Sequence, residues 1–135
     1  MTQPGEAAPR GVLEAPDPEA FQAFMARAQE GPVIMLNLLK FKPRGGAEMY
    51  DRYAEAVLPF LQKCGARVIY MGRTAERLLG RDAWDSLILV EYPTRQAFIG
   101  MISSPDYQAI QHLRDDSLER SVLYATDPVA PPAPQ

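Results

Sequence analysis

The chain has 135 residues, of which 47% are hydrophobic, and this fits one domain with a buried core. Its 14 lysines and arginines against 17 aspartates and glutamates give a formal net charge of −3, which argues against nucleic acid as the partner. A single cysteine, Cys64, excludes a disulfide within the chain. We find no apolar signal segment and no run approaching the ~20 residues of a membrane helix, so we expect a cytoplasmic protein that does not enter the membrane.

Both ends of the sequence predict tails around a single domain. Residues 1–11 are rich in proline, glycine and alanine, and residues 127–135 are dense in proline. Such composition favours extended, weakly ordered chain. The domain is therefore predicted at residues 12–126.

The domain is predicted to begin with a helix and a strand. The helix covers about 17–30, with Asp17 as its N-cap, Pro18 at its first position and Gly31 as its stop. The strand at 33–41 is apolar at both its odd and its even positions, which is typical of a strand buried on both faces of a sheet.

A second helix is predicted from about Ala47 to Cys64, closed by Gly65. Pro59 falls on its polar side, where a lost hydrogen bond is best tolerated. The opposite side is an apolar stripe formed by Tyr50, Tyr53, Val57, Phe60, Leu61 and Cys64.

The second half predicts two strands, two short helices and a last strand. The strands lie at 66–73 and 84–92, and the last at 118–126. The helices lie at 94–102 and from Pro105 to about Arg114, the second with Ser104 as its N-cap.

After the first helix the order is β-α-β-β-α-β, which predicts an α+β, ferredoxin-like fold with a four-stranded antiparallel sheet. Helices in this fold cover one face of the sheet, yet the strands are apolar on both. Either the extra N-terminal helix or a second copy of the chain must cover the open face. We favour the second copy, with the extra helix at the rim.

Four stretches in order carry a family resemblance: PVIMLNLLKFK, YDRYAEAVLPFL with GARVIYMG, WDSLILVEYPTRQAF, and SSPDYQAIQHLR with LYAT. Together they resemble the dimeric α/β-barrel proteins called domain of unknown function 1330. The segment Ser104-Pro105-Asp106-Tyr107 followed by Arg114 looks like that family's most recognisable feature. The resemblance implies a homodimer and no particular reaction. Wider relatives of this fold include cofactor-free monooxygenases, lactone isomerases and haem-binding barrels, among which the fold does not choose.

Several kinds of catalytic site are excluded by the residues that the sequence lacks. We find no nucleophile elbow, dinucleotide fingerprint, Walker loop or HExxH motif. With His112 as the only histidine and Cys64 as the only cysteine, we expect no metal and no cofactor. Cys64, on the apolar stripe, is interpreted as an inert core thiol.

Asn37 is the strongest anomaly, because a lone amide interrupts an apolar strand. One interpretation is a hydrogen-bonding group that faces a ligand carbonyl. The other is a structural amide satisfied by backbone, by a water or by the hydroxyl of Tyr50 or Tyr53.

Helical periodicity places Arg114 and His112 on different sides of the predicted helix. Arg114 borders the apolar face, either as a clamp for a substrate oxygen or in a salt bridge to Glu91 or Asp85. His112 points more towards solvent, so it is interpreted as a surface histidine, with a general base as the weaker alternative.

The substrate-binding residues predicted are therefore Asn37, Arg114, Tyr50, Tyr53, Trp84 and Tyr107. For Trp84, packing at a sheet end or a dimer seam is the alternative. We expect a cytoplasmic homodimer that binds a small apolar or carbonyl ligand. If it is an enzyme, the expected type is a cofactor-free isomerase or monooxygenase acting on an enolisable or aromatic carbonyl compound. The alternative is a non-catalytic ligand sensor or interaction protein of the same fold.

Overall fold

The computed structural model describes residues 15–132, so the predicted tail at 1–11 lies outside the described residues. Nine helices and strands follow one another in this part of the chain: α1 (Pro18–Ala26), β1 (Val33–Phe41), α2 (Gly46–Cys64), β2 (Arg67–Arg73), β3 (Ser86–Tyr92), α3 (Arg95–Ser103), α4 (Pro105–Gln108), α5 (Gln111–Asp115) and β4 (Leu118–Thr126).

The four strands form one antiparallel sheet in the order β2-β3-β1-β4. β1 lies in the middle of the sheet, which agrees with the apolar residues on both of its faces. It pairs with β3 from Val33 opposite Tyr92 to Leu39 opposite Ser86. The predicted α+β, ferredoxin-like fold with an extra N-terminal helix is confirmed.

The long helix α2 packs on one face of the sheet. Gly65 ends it in the left-handed conformation, with φ at 80°. Pro59 lies on its exposed side, as the periodicity predicts. The stripe facing the sheet buries Tyr50, Tyr53, Val57 and Leu61.

The opposite face of the sheet is apolar and carries no helix of the described chain. Cross-strand register aligns Tyr70, Leu89, Leu36 and Tyr124 in one row across all four strands. Tyr70 is 56% exposed and Tyr124 is 66% exposed. We call this surface the open sheet face.

The N-terminal helix α1 does not cover the open sheet face. It packs against α3 on the other side of the sheet, where the ring centroids of Phe24 and Phe98 lie 5.7 Å apart. The guanidinium of Arg95 lies 5.3 Å from the centre of the same Phe24 ring. Within the described residues, α1 therefore leaves the open sheet face uncovered.

Two predicted helices differ from the structure. α1 ends at Ala26 rather than near residue 30, because the chain tightens into turns in which Ala28 donates to the backbone oxygen of Met25 at 3.1 Å. The single helix predicted from Pro105 is split into α4 and α5. A turn at Ile110, whose N–H bonds to the oxygen of Tyr107 at 2.9 Å, interrupts it.

The predicted C-terminal tail is anchored at its first residue. Asp127 accepts hydrogen bonds from Arg27 at 2.8 Å and from Arg95 at 2.9 Å. Hydrogen bonds from Arg27 and then from Arg95 lower the pKa of the Asp127 carboxyl group. Arg95 is only 3% exposed, so Asp127 supplies the counter-charge of a buried guanidinium. Residues 128–132 are exposed and have no regular structure.

Candidate functional site

A cavity of about 960 Å³ lies between the sheet and the helices, and we call it the central cavity. This volume lies in the range of small-molecule sites. Its wall is mostly apolar and includes Met35, Val57, Leu61, Ile88, Val90, Phe98, Met101 and Ile102.

Arg114 and Asn37 meet in the wall of the central cavity. Arg114 extends from α5, and its Nη2 donates to Oδ1 of Asn37 at 3.3 Å. Asn37 lies in the middle of β1 on the same face as Met35 and Leu39, so it faces the helices. Its Nδ2 donates to the backbone oxygen of Ile88 at 3.4 Å. Both bonds are long, so neither fully satisfies the amide or the guanidinium.

Tyr50, in the first half of α2, brings a third polar group to the same wall. It is buried, and burial raises the pKa of its phenol. The neighbouring Arg114 acts in the opposite direction on that pKa, through its charge and a hydrogen bond. Arg114 therefore donates to one neutral partner, Asn37, and lies near a second neutral group, the phenol of Tyr50.

A pair of buried hydroxyl groups lies next to these three residues. The hydroxyl oxygens of Tyr53 and Tyr107 are 2.8 Å apart. Each residue is at most 7% exposed. One hydroxyl donates to the other, so one hydroxyl hydrogen of the pair has no partner within residues 15–132. That hydrogen remains able to donate to a ligand.

The central cavity supplies hydrogen-bond donors and one positive charge. Burial raises the pKa of Tyr53 and of Tyr92, so these phenols stay protonated at neutral pH. No carboxylate of the described residues forms an ion pair with Arg114. The acidic residues of the wall, Glu55, Asp115 and Asp116, are exposed.

Five of the six predicted substrate-binding residues line this cavity: Asn37, Tyr50, Tyr53, Tyr107 and Arg114. Trp84 lies elsewhere. Its ring packs under the guanidinium of Arg120, 5.2 Å from the ring centre, and its backbone oxygen accepts a hydrogen bond from Thr74. This arrangement agrees with the alternative of packing at the end of the sheet.

The structure decides three further alternatives about these residues. Asn37 bonds to Arg114 and not to a tyrosine hydroxyl. Arg114 makes no salt bridge to Glu91, which pairs with Arg67 at 2.7 Å, or to Asp85, which accepts from the backbone N–H of Phe41 at 2.8 Å. His112 is exposed and does not line the central cavity, so its role as a general base gains no support.

Sequence reasoning missed Tyr92 and a second cavity. Tyr92 shares the face of Ile88 and Val90 on β3, and that alternation was the available signal. The second cavity, of about 870 Å³, shares Tyr50, Met71 and Ile88 with the first and is lined towards solvent by Lys40, Lys42, Arg73 and Asp85.

Residues 15–132 contain neither a metal-binding cluster nor a membrane-spanning helix. No three histidine, cysteine, aspartate or glutamate side chains are grouped so that they could hold a metal ion. None of the helices there has the length and apolar character needed to cross a membrane.

The family model for a domain of unknown function, DUF1330, matches residues 45–127. The chain belongs to this family. Its match includes the Ser104 to Tyr107 segment and Arg114, the residues on which the resemblance chiefly rested. A comparison with curated proteins finds no match.

Solved structures of similar proteins agree with the fold. RPA0582 from Rhodopseudomonas palustris, a protein of unknown function, is 34% identical, with a TM-score of 0.80 over 86% of this chain and 96% of that one. A dimeric protein of unknown function with a ferredoxin-like fold from Bacteroides fragilis is 14% identical, with a TM-score of 0.54 over 73% and 97% of the chains. A proposed antibiotic biosynthesis monooxygenase from Caulobacter crescentus is also 14% identical, with a TM-score of 0.56 over 81% and 99%. At such identities the last two show the fold alone.

Proposed function

We propose that this chain is a small-molecule-binding protein whose ligand occupies the central cavity. The observation that carries the proposal is the grouping of Arg114, Asn37 and Tyr50 in an otherwise apolar wall. Binding sites for small molecules combine an apolar wall with a few fixed polar groups that orient the ligand. Here the apolar wall takes the body of the ligand, and the guanidinium and amide hold its oxygen.

The same groups support a catalytic role as the second part of the proposal. Fixed N–H and O–H donors stabilise negative charge that develops on an oxygen, as in an enolate. Arg114, Tyr50 and the free hydroxyl hydrogen of the Tyr53–Tyr107 pair are such donors. They suit cofactor-free isomerisation or oxygenation of an enolisable or aromatic carbonyl compound. The fold shared with the Caulobacter crescentus protein is compatible with this chemistry but does not select it.

A non-catalytic ligand sensor is the alternative, and one observation favours it. Among the described residues that line the central cavity there is no histidine, and the three carboxylates there, Glu55, Asp115 and Asp116, are exposed. Proton abstraction needs a base within hydrogen-bonding reach of the substrate. Binding alone needs none.

We also propose that the chain functions as a homodimer through the open sheet face. A row of apolar side chains that includes two tyrosines more than half exposed is unfavourable in water and is typical of an interface. The Bacteroides fragilis relative of this fold is described as dimeric, which supports the same assembly. Stable interfaces bury about 1,600 Å² in total, and a four-stranded sheet face offers an area of this order.

Native mass spectrometry of freshly purified protein tests both parts of the proposal. We expect twice the 15.0 kDa chain mass, together with a co-purified or added small molecule. Leu36→Glu, in the centre of the open sheet face, should give the monomer mass. Met25→Glu, at an exposed position of α1, is the matched control and should leave the dimer intact. A wild type that is monomeric at micromolar concentration, or that binds none of a broad set of carbonyl compounds, would contradict the corresponding part.

A further inference from the structure

Arg114 is the only cation in the wall of the central cavity within residues 15–132. Its Nη2 donates to a neutral amide, that of Asn37, and the neutral phenol of Tyr50 lies near it in the same wall. No carboxylate of the described chain pairs with it. A partly buried guanidinium with these two neutral neighbours has N–H donors left over.

The acidic residues of the wall do not neutralise this charge. Glu55, Asp115 and Asp116 are exposed, so water screens their interaction with a group inside the cavity. Arg114 itself is only partly exposed, and its contact with Asn37 directs it towards the middle of β1. The interior end of the cavity is therefore positive while its outer edge is acidic.

Among the described residues, the buried and partly buried lining of the cavity also lacks a carboxylate or histidine that could remove a proton from a neutral ligand. The titratable side chains of that lining are Arg114 and four tyrosines, Tyr50, Tyr53, Tyr92 and Tyr107. All five side chains can donate hydrogen bonds. A ligand matched to these donors brings its own negative charge, and a carboxylic acid is already ionised at pH 7.

We infer that the central cavity takes an apolar monocarboxylate, with the carboxylate on Arg114 beside Tyr50 and the hydrocarbon body along the aliphatic wall. The inference rests on the proposed function, because it names the class of molecule that the same cavity binds. The bond from Nη2 to Asn37 orients the guanidinium, and the remaining donors meet the carboxylate. Met35, Val57, Leu61 and Val90 surround the body.

Three probes with the same phenylpropyl body test the charge of the ligand: 4-phenylbutanoate, its neutral isostere 4-phenylbutanamide, and the ketone 5-phenylpentan-2-one. Binding to the full-length wild type is measured by isothermal titration calorimetry at pH 7. Hydrogen bonds to a charged group are stronger than neutral ones, so we expect the carboxylate to bind about 10- to 100-fold more tightly than the amide.

Two substitutions test whether Arg114 is the group responsible. Arg114→Met removes the charge and keeps an unbranched apolar side chain, so the preference for carboxylate over amide should fall to about twofold or less. Arg114→Lys retains the charge and should retain part of the preference. Should Arg114→Met fail to fold, the wild-type comparison and Arg114→Lys still decide the result.

Each outcome bears on the inference in a definite way. Equal binding of acid and amide to the wild type would overturn the monocarboxylate and leave a neutral carbonyl ligand, with the proposed function intact. A carboxylate preference that survives in Arg114→Met would overturn the assignment to Arg114. If none of the three probes binds, the inference fails, and native mass spectrometry decides separately whether the cavity binds any small molecule.

Discussion

The buried hydroxyl pair of Tyr53 and Tyr107 predicts strong coupling between two single substitutions. The two oxygens are 2.8 Å apart, and both side chains are at most 7% exposed. Tyr53→Phe keeps the ring and removes one hydroxyl, which leaves the other without a protein partner in a buried position. An unsatisfied buried hydroxyl costs about 1–3 kcal/mol. The same range applies to Tyr107→Phe.

The double substitution should cost much less than the sum of the two single ones. It removes both polar groups together, so neither is left unpaired, and the two phenylalanine rings can keep the edge-to-face contact, with centroids 6.4 Å apart. We expect the double variant to lie within about 1 kcal/mol of the wild type. The interaction energy of the cycle should therefore be at least about 1 kcal/mol.

Urea denaturation at one fixed protein concentration measures these four free energies of unfolding. Ser103→Ala, at an exposed position of α3 away from the open sheet face, is a control for loss of a hydroxyl as such and should change the free energy of unfolding by less than about 0.5 kcal/mol. Single effects that are small and additive to within about 0.5 kcal/mol would refute the reasoning. They would mean that water in the cavity satisfies each hydroxyl separately.

Four further changes to the chain have expected outcomes. Asn37→Leu removes two long hydrogen bonds, of 3.3 and 3.4 Å, so the free energy of unfolding should change by no more than about 1 kcal/mol. Binding of 4-phenylbutanoate should weaken roughly 10-fold. An unstable variant whose ligand-induced stabilisation in thermal melts is unchanged would contradict this. Removal of residues 128–135 should change stability by at most about 0.5 kcal/mol. Asp127→Asn should lower the melting temperature. Because the folded-state pKa of Asp127 is lowered, the higher stability of the wild type over the variant is complete well above the ordinary pKa of 3.8 and disappears as the pH falls through the folded-state pKa. A stability difference that persists in full at still lower pH would exclude the ion pairs as its source. Gly31→Ala places a Cβ 1.8 Å from a backbone oxygen and should destabilise the fold by about 1–3 kcal/mol in urea denaturation. Gly100→Ala is the control, because its added Cβ would meet no atom within 4 Å, and it should not destabilise the fold in this way. Equal stability of the two variants would rule out the close backbone approach at Gly31.

The sequence alone determined the elements that depend on near neighbours. The apolar stripe of α2 repeats every three or four residues, and glycine and proline mark its end and its solvent side, so its bounds were predicted within one residue. The bounds of β1 and β4 were predicted without error, because runs of apolar and β-branched residues identify strands locally. The element order then fixed the ferredoxin-like fold, since few topologies fit it. Asn37 could be singled out because a polar group in an apolar strand is costly wherever the strand lies.

Only the tertiary structure decided which side chains meet. Arg114 bonds to Asn37 across 77 residues of sequence, and Tyr53 bonds to Tyr107 across 54. Each of these groups had several partners of suitable chemistry, and periodicity gives the face of an element but not the group that lies opposite. The choice depends on how α4 and α5 are angled over the sheet, and the turn at Ile110 sets that angle without a proline or glycine to mark it. Hydrogen-bond energies change within a few tenths of an ångström, so the site is fixed by packing distances that a one-dimensional pattern does not contain.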